Sequence, residues 1–223
     1  MKIIELKTAV STQDEVEKYI PFGEDVIVRA DEQTGGKGTK GRFFISRKGG
    51  LYFSYLRFYG DLTAESAHRI IENVSVSVAL ALEKFGVKAF VKWPNDIIAS
   101  NKKICGILSR SSVTDGVITY GVTGIGVNVN NEIDGEIADL AVSMEQILGY
   151  KPDIDEFFKT VVELLQKEHD GKLYKDLSCV LGKRISITRN GETFFSVAKD
   201  ILPDGSLLLE SGEKLVFGEI KII

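Results

Sequence analysis

Residues 87–130 read VKAFVKWPNDIIASNKKICGILSRSSVTDGVITYGVTGIGVNVN, and their grammar decides the fold. Apolar-rich runs at Val87–Lys92, Ile97–Ala99, Ile104–Arg110 and Val117–Val127 predict four strands joined by short turns. Asn101-Lys102 and Asp115-Gly116 carry the turn signals. Pro94 fixes a further turn after Trp93, the only tryptophan, and the short polar side chains of Asn95 and Asp96 follow it. Lys103 opens the third run, and Gly106 within it lets a ligand approach the backbone. The fourth run is interrupted by Gly124 and Gly126 and ends in asparagines at Asn128 and Asn130.

Upstream, Ile3–Leu6 reads as a strand, and Ser11 or Thr12 can cap a helix through Tyr19 that Pro21 and Gly23 close. Val26–Arg29 is a second strand. Residues 31–50, DEQTGGKGTKGRFFISRKGG, form a glycine-rich basic loop, and Leu51–Phe58 alternates like a strand. Ala67, Ile70, Ile71, Val74, Val78, Leu82 and Phe85 recur at helical steps and predict a long helix over Thr63–Phe85.

Downstream, Asp153–Lys167 reads as an amphipathic helix. From 179 to 223 the chain shows only short strands, of five to eight residues, punctuated by Asn190-Gly191, Pro203-Asp204-Gly205 and Ser211-Gly212. That spacing predicts a tiny β-barrel, too small to bury much core alone and so packed on the larger unit. The expected class is α+β, with domains over 1–177 and 178–223.

Composition narrows the function. The chain has 223 residues and 24.6 kDa, enough for one full domain and an appendage. Apolar residues are 43% and charged residues 27%, which suits a folded core. A net charge of −4 argues against a general nucleic-acid binder. Cys105 and Cys179 lack metal-ligand spacing, and His68 and His169 stand alone, which disfavours a zinc site or a His-based triad. The first twenty residues lack a signal-peptide core, and no run approaches the roughly 18 apolar residues of a membrane span. The expectation is a cytoplasmic protein with both cysteines reduced and buried.

In the loop, Gly35, Gly36, Gly38 and Gly41 leave backbone N–H groups open to an anion beside Lys37, Lys40 and Arg42. The spacing is not that of a P-loop, and a strand rather than a helix follows, which excludes a dinucleotide fingerprint. Alone, the loop reads equally as a solvated connection, KWPND as a β-turn with a core tryptophan, and Lys103 as strand-edge decoration. Their combination and order carry more.

GKGTKGR, GGLYFS, KWPND, KKICGIL and GIGVNVN together resemble the biotin protein ligase family, whose pattern sets the same pieces in this order. The resemblance takes in nearly the whole chain. It implies a mixed-sheet biotin/lipoate ligase-like catalytic domain with a small C-terminal SH3-like β-barrel. It also implies a two-step reaction. Biotin and Mg-ATP give biotinyl-5′-AMP and pyrophosphate, and the biotinyl group then passes to a lysine of a carrier protein. A carboxylate attacking a phosphorus brings two anions together, so charge neutralisation and positioning suit this chemistry better than a His or Cys nucleophile.

Residue by residue, the resemblance puts Ser11, Thr12 and Gln13 at one edge of the biotin site and Gln33 opposite. Gly36, Lys37, Gly38 and Thr39 follow the biotin and phosphate path. Lys40 and Arg42 face phosphates and Phe44 the adenine. Lys103 binds the biotin carboxylate and α-phosphate, acting in catalysis with Arg42, while Gly106 and Ile107 line the ring pocket. Asn95, Asp96 and Asn128 lie where adenylate or metal is held, without individual Mg²⁺ ligands being assigned. The family has asparagine where Gln13 stands, arginine at Lys37 and Thr39, and tryptophan at Phe44. Lys37 loses the guanidinium fork and Thr39 a charge, for which Lys40 is the candidate substitute.

The implied partner is a biotin carboxyl carrier domain of acetyl-CoA carboxylase or a related carboxylase. A homodimer is implied, and no membrane is. The catalytic pattern begins by residue 11, so no operator-binding domain and no nucleic acid are expected. Two alternatives stand beside this reading: a lipoate or octanoate ligase of the same fold, and a non-catalytic binding relative.

Overall fold

The computed structural model describes residues 1–189 and 191–223. Seven strands form one mixed sheet: β1 (Lys2–Ala9), β2 (Val26–Gln33), β3 (Leu51–Phe58), β4 (Phe90–Lys92), β5 (Asp96–Ala99), β6 (Lys102–Thr114) and β7 (Val117–Val127). Their order is β1-β2-β3-β7-β6-β5-β4, with β1 and β2 parallel and the other pairs antiparallel. The parallel pair is joined through α1 (Thr12–Glu17). Against the sheet lie α2 (His68–Lys84) and α4 (Ile154–Leu165), with α3 (Met144–Leu148) between them and α5 (Gly171–Asp176) after them in sequence.

Alternation sorts the side chains of each strand to two faces. Ile27, Phe53 and Ile125 join Val74 and Val78 of α2 and Phe158 of α4 in the main core. Phe53 and Phe158 meet edge to face at 5.3 Å. Val26, Val28, Leu56 and Val122 face the other way, against Val16 of α1. That second face, beside α1, carries the site.

The C-terminal strands β8 (Arg184–Arg189), β9 (Glu192–Ile201), β10 (Leu207–Leu209), β11 (Lys214–Leu215) and β12 (Glu219–Ile222) make a five-stranded antiparallel sheet ordered β11-β10-β9-β8-β12. As expected, it shares its core with the larger unit, since Ile185, Ile187, Leu207 and Leu209 belong to the cluster that contains Trp93 and Tyr174. The Trp93 indole N–H also donates to the Gly205 carbonyl at 3.0 Å. Of the turn expected at Asn190-Gly191, Asn190 lies outside the described residues.

Several boundaries differ from the sequence reading. The helix expected from Thr63 begins at His68, after a 3-10 turn over Ala64–Ser66. Thr63 bridges to Val117, and the Ala64 amide donates to the Gly116 carbonyl, so the β6–β7 hairpin claims this end. Val87 stays out of β4 because its amide closes α2 on the Leu82 carbonyl. The β5–β6 turn falls one residue early, at Ser100-Asn101, both with positive φ, and Lys102 already pairs with Ala99. The C-terminal strands run from two to ten residues rather than five to eight. Cys105 is buried as expected and its thiol is pushed well up by burial, but Cys179 is only half-buried. No helix among the described residues is long and apolar enough to cross a membrane.

Candidate active site

A small cavity of about 50 Å³ opens on the α1 side of the sheet, between the glycine-rich loop and the glycine-bearing strands β6 and β7. Ser11, Thr12, Gln13, Gln33, Lys37, Gly38, Thr39, Phe44, Asn95, Asp96, Lys103, Gly106 and Ile107 all line it. These thirteen were named from the sequence, and the fold brings them to one place. Leu108, Gly124, Ile125 and Gly126 complete the lining and were not assigned beforehand. The glycine-interrupted strand was the signal for Gly124 and Gly126, since glycine within a strand marks a close approach.

One wall is a chain of hydrogen bonds. The Thr12 amide and hydroxyl both donate to Gln33 Oε1, at 2.8 and 3.0 Å, and the Thr12 hydroxyl meets that of Ser54 at 2.8 Å. Gln33 Nε2 donates to Ser46 Oγ at 2.8 Å, and Ser46 donates to the Phe44 carbonyl at 2.9 Å. The returning arm of the loop is thereby fixed to β2 and α1. Gly36 lies under that arm, where a Cβ would stand 2.5 Å from the Phe44 carbonyl oxygen.

Ser11 is the N-cap residue of α1, yet its hydroxyl makes no cap bond. Gln13 is buried and donates through Nε2 to the Leu108 carbonyl at 2.8 Å. Its Oε1 is buried without a donor among the described residues. Such an acceptor costs free energy unless something donates to it, and here it borders the cavity.

The opposite end is charged. Lys103 Nζ lies 2.6 Å from Asp96 Oδ1 and 5.8 Å from the centre of the Phe44 ring. A Cβ on Gly106 would stand 3.0 Å from the Lys103 ammonium and 3.1 Å from Phe44, and one on Gly126 would stand 2.7 Å from Phe44. The ring therefore lies across both glycines and fills most of the floor. Asn95 is locked between strands, donating to the Ile107 carbonyl at 2.5 Å and accepting the Ile107 amide.

Four expected residues stand off the lining. Gly36 lies behind it. Arg42 reaches Glu219 on β12 at 2.5 Å, and Lys40, in a left-handed conformation, turns to the same carboxylate at 4.0 Å. Asn128 is buried and accepts from Asn131 at 3.1 Å. Lys37, which does line the cavity, is paired with Asp14 of α1. Neither acidic partner, Asp14 or Glu219, was singled out from the sequence.

No three His, Cys, Asp or Glu side chains converge among the described residues, and the carboxylate on the cavity wall, Asp96, is bound to Lys103. This donor set does not fit a resident divalent cation. A larger cavity of about 420 Å³ lies on the other face of β7, reached by Thr123. Its charges cancel, Arg57, Arg69 and Lys175 against Asp61, Glu72 and Glu168, and no motif falls on it.

Residues 7–128 match the Biotin/lipoate A/B protein ligase family. The chain is 28% identical over 204 residues to the bifunctional ligase/repressor BirA of Bacillus subtilis, a match covering 85% of this chain and 63% of that protein. It is 23% identical over 212 residues to the biotin–[acetyl-CoA-carboxylase] ligase of Mycobacterium tuberculosis, covering 86% of this chain and 76% of that one. The chain thus spans just under two thirds of the Bacillus relative's length. Among solved structures it is similar to the biotin protein ligase from Aquifex aeolicus in complex with biotin and ATP. The TM-score there is 0.79 at 27% identity, covering 100% of this chain and 98% of that one. The matched stretch runs from within β1 past the end of β7 and holds every residue that lines the cavity, so this chain belongs to the biotin/lipoate A/B protein ligase family.

Proposed function

We propose that this chain is a biotin protein ligase, which activates biotin with ATP to biotinyl-5′-AMP and passes the biotinyl group to a lysine of a biotin carboxyl carrier domain. One observation carries the reading. A single cavity has a buried, unsatisfied acceptor at one end, Gln13 Oε1, and an ammonium at the other, Lys103 Nζ, over a floor of glycines. A ligand with N–H groups at one end and a carboxylate at the other suits that polarity. Biotin has both, whereas lipoate lacks the N–H groups. The names of the relatives and of the Aquifex structure favour the same substrate.

In this reading Ser11, Thr12, Gln13 and Gln33 hold the ureido end, and Gly106 and Ile107 flank the ring. Gly36, Lys37, Gly38 and Thr39 follow the phosphate path, while Lys40, Arg42, Phe44, Asn95, Asp96 and Asn128 surround the nucleotide. Lys103 offsets the repulsion as a biotin carboxylate oxygen bonds to the α-phosphorus and pyrophosphate leaves with the electrons of the broken P–O bond. The carrier lysine's amine then attacks the acyl carbon, AMP departs, and the amine loses a proton. Mg²⁺ enters with ATP. Phe44 must leave the floor for biotin to fit, because about 50 Å³ is far below the ~300 Å³ of an ordinary ligand site. Residues 1–177 form the catalytic unit and 178–223 the small β unit. A homodimer in the cytoplasm belongs to the same reading.

The test is incubation with ATP, Mg²⁺ and a purified biotin carboxyl carrier domain, followed by intact mass. Biotin on a single lysine is expected with biotin, and no adduct with lipoate in its place. A lipoyl adduct without a biotinyl one overturns the substrate assignment. No adduct with either overturns the enzyme assignment.

A further inference from the structure

Arg42 and Glu219 are 177 positions apart in sequence, on the glycine-rich loop and on β12, yet their side chains meet at 2.5 Å. Lys40 lies 4.0 Å from the same carboxylate. The pattern recurs around the cavity, where Lys37 is paired with Asp14 and Lys103 with Asp96. Four cations thus face three carboxylates of the chain itself, and a polyphosphate that approaches meets cations already partnered. Glu219 differs from the other two acids. It serves two cations at once, and it alone comes from the five-stranded sheet. The Arg42 hydrogen bond holds its carboxyl below the ordinary glutamate range, so it is ionised at neutral pH.

We propose that Glu219 is a positioning residue that latches the glycine-rich loop to the five-stranded sheet and competes with the phosphates of the nucleotide for Arg42 and Lys40. The proposal rests on the nucleotide-binding part of the function given above. Exchange is easy because the pair is solvated: the Arg42 and Glu219 side chains are 58% and 36% exposed, and exposed ion pairs are weak. A phosphate offers more charge than a carboxylate and accepts the guanidinium fork in two bonds. Once phosphates hold Arg42, the displaced Glu219 carboxylate is a like charge at close range that weakens the nucleotide's grip.

Glu219→Gln keeps the shape and removes the charge, and Glu219→Asp keeps the charge. Inorganic tripolyphosphate is the probe, because it needs no chemistry. Backbone amide exchange over residues 36–44 reports its binding. The concentration that half-protects the loop should fall about threefold or more in Glu219→Gln, and less at high salt, with Glu219→Asp close to the wild type. In biotin-dependent pyrophosphate release, the change should fall on KM for ATP rather than on kcat. Equal or higher half-protecting concentrations in Glu219→Gln overturn the proposal. A wild type that releases no pyrophosphate from biotin and ATP counts against the biotin reading alone, and the tripolyphosphate comparison still decides this one.

Discussion

The Lys103 ammonium sits 2.6 Å from the Asp96 carboxylate and directly over Gly106, where a Cβ would come within 3.0 Å of it. Strand pairing produces this arrangement, since Asp96 is the register partner of Gly106 and lies diagonally across from Lys103. The absent side chain at 106 is what lets the lysine fold back over the cavity. In the proposed reaction that ammonium offsets the repulsion between carboxylate and α-phosphate. Lys103→Ala should therefore lower the adenylation rate by about two to three decades at saturating biotin and ATP. Single-turnover pyrophosphate release measures it, and a near-normal rate rules the role out.

Phe44 lies across Gly126, with ring atoms 2.7 Å from where a Cβ would be. Gly126→Ala pushes the ring aside and puts a methyl group on the floor that biotin needs. The expected outcome is a rise in KM for biotin of about tenfold or more, with a smaller change in KM for ATP. Steady-state kinetics with each substrate varied separately would reveal the asymmetry. An unchanged KM for biotin would mean that the ligand does not use this floor.

Thr39 lines the cavity where the family pattern has an arginine. Lys40, the candidate substitute, turns instead to Glu219 at 4.0 Å. One charge-assisted contact is worth roughly 1.5 to 3 kcal/mol, or one to two decades in affinity. Thr39→Arg should slow release of biotinyl-AMP at least several-fold and change adenylation little. A stopped-flow chase compares the two off-rates, and indistinguishable values contradict the argument.

Much of this site was legible because its parts are local. KWPND and KKICGIL each lie within one turn and one strand, and the glycines of β7 advertise a close approach. What escaped was long-range. Nothing near Arg42 in sequence announces Glu219, because that contact exists only once the C-terminal sheet has packed. The ring of Phe44 over Gly106 and Gly126 follows from the path of a loop, which a chain of Ser54, Thr12, Gln33 and Ser46 fixes from three separate segments. Helical periodicity ran on through Thr63–Ala67 because it cannot register that Val117 takes Thr63 as a β partner. The five-stranded sheet was readable from its turns, but not its strand lengths, which depend on pairing.

Gly205 joins the two sheets. It has φ +76°, its carbonyl accepts the Trp93 indole N–H, and a Cβ there would stand 2.4 Å from that of His68. Gly205→Ala meets both backbone strain and a steric clash, so a loss of about 2 kcal/mol or more is expected. For a chain of this size that lowers the melting temperature by about 5 °C or more. Thermal unfolding followed by tryptophan fluorescence is the measurement, and an unchanged midpoint would mean that the turn is not held as described.

In the proposed reaction one cavity joins the biotin carboxylate to the α-phosphate of ATP. Isotope exchange between pyrophosphate and ATP tests it most directly, because it reports the adenylation step without any carrier protein. Exchange should require biotin and Mg²⁺, be absent with lipoate, and be nearly abolished in Lys103→Ala. Exchange that proceeds without biotin, or none at all in a folded wild-type protein, would contradict it.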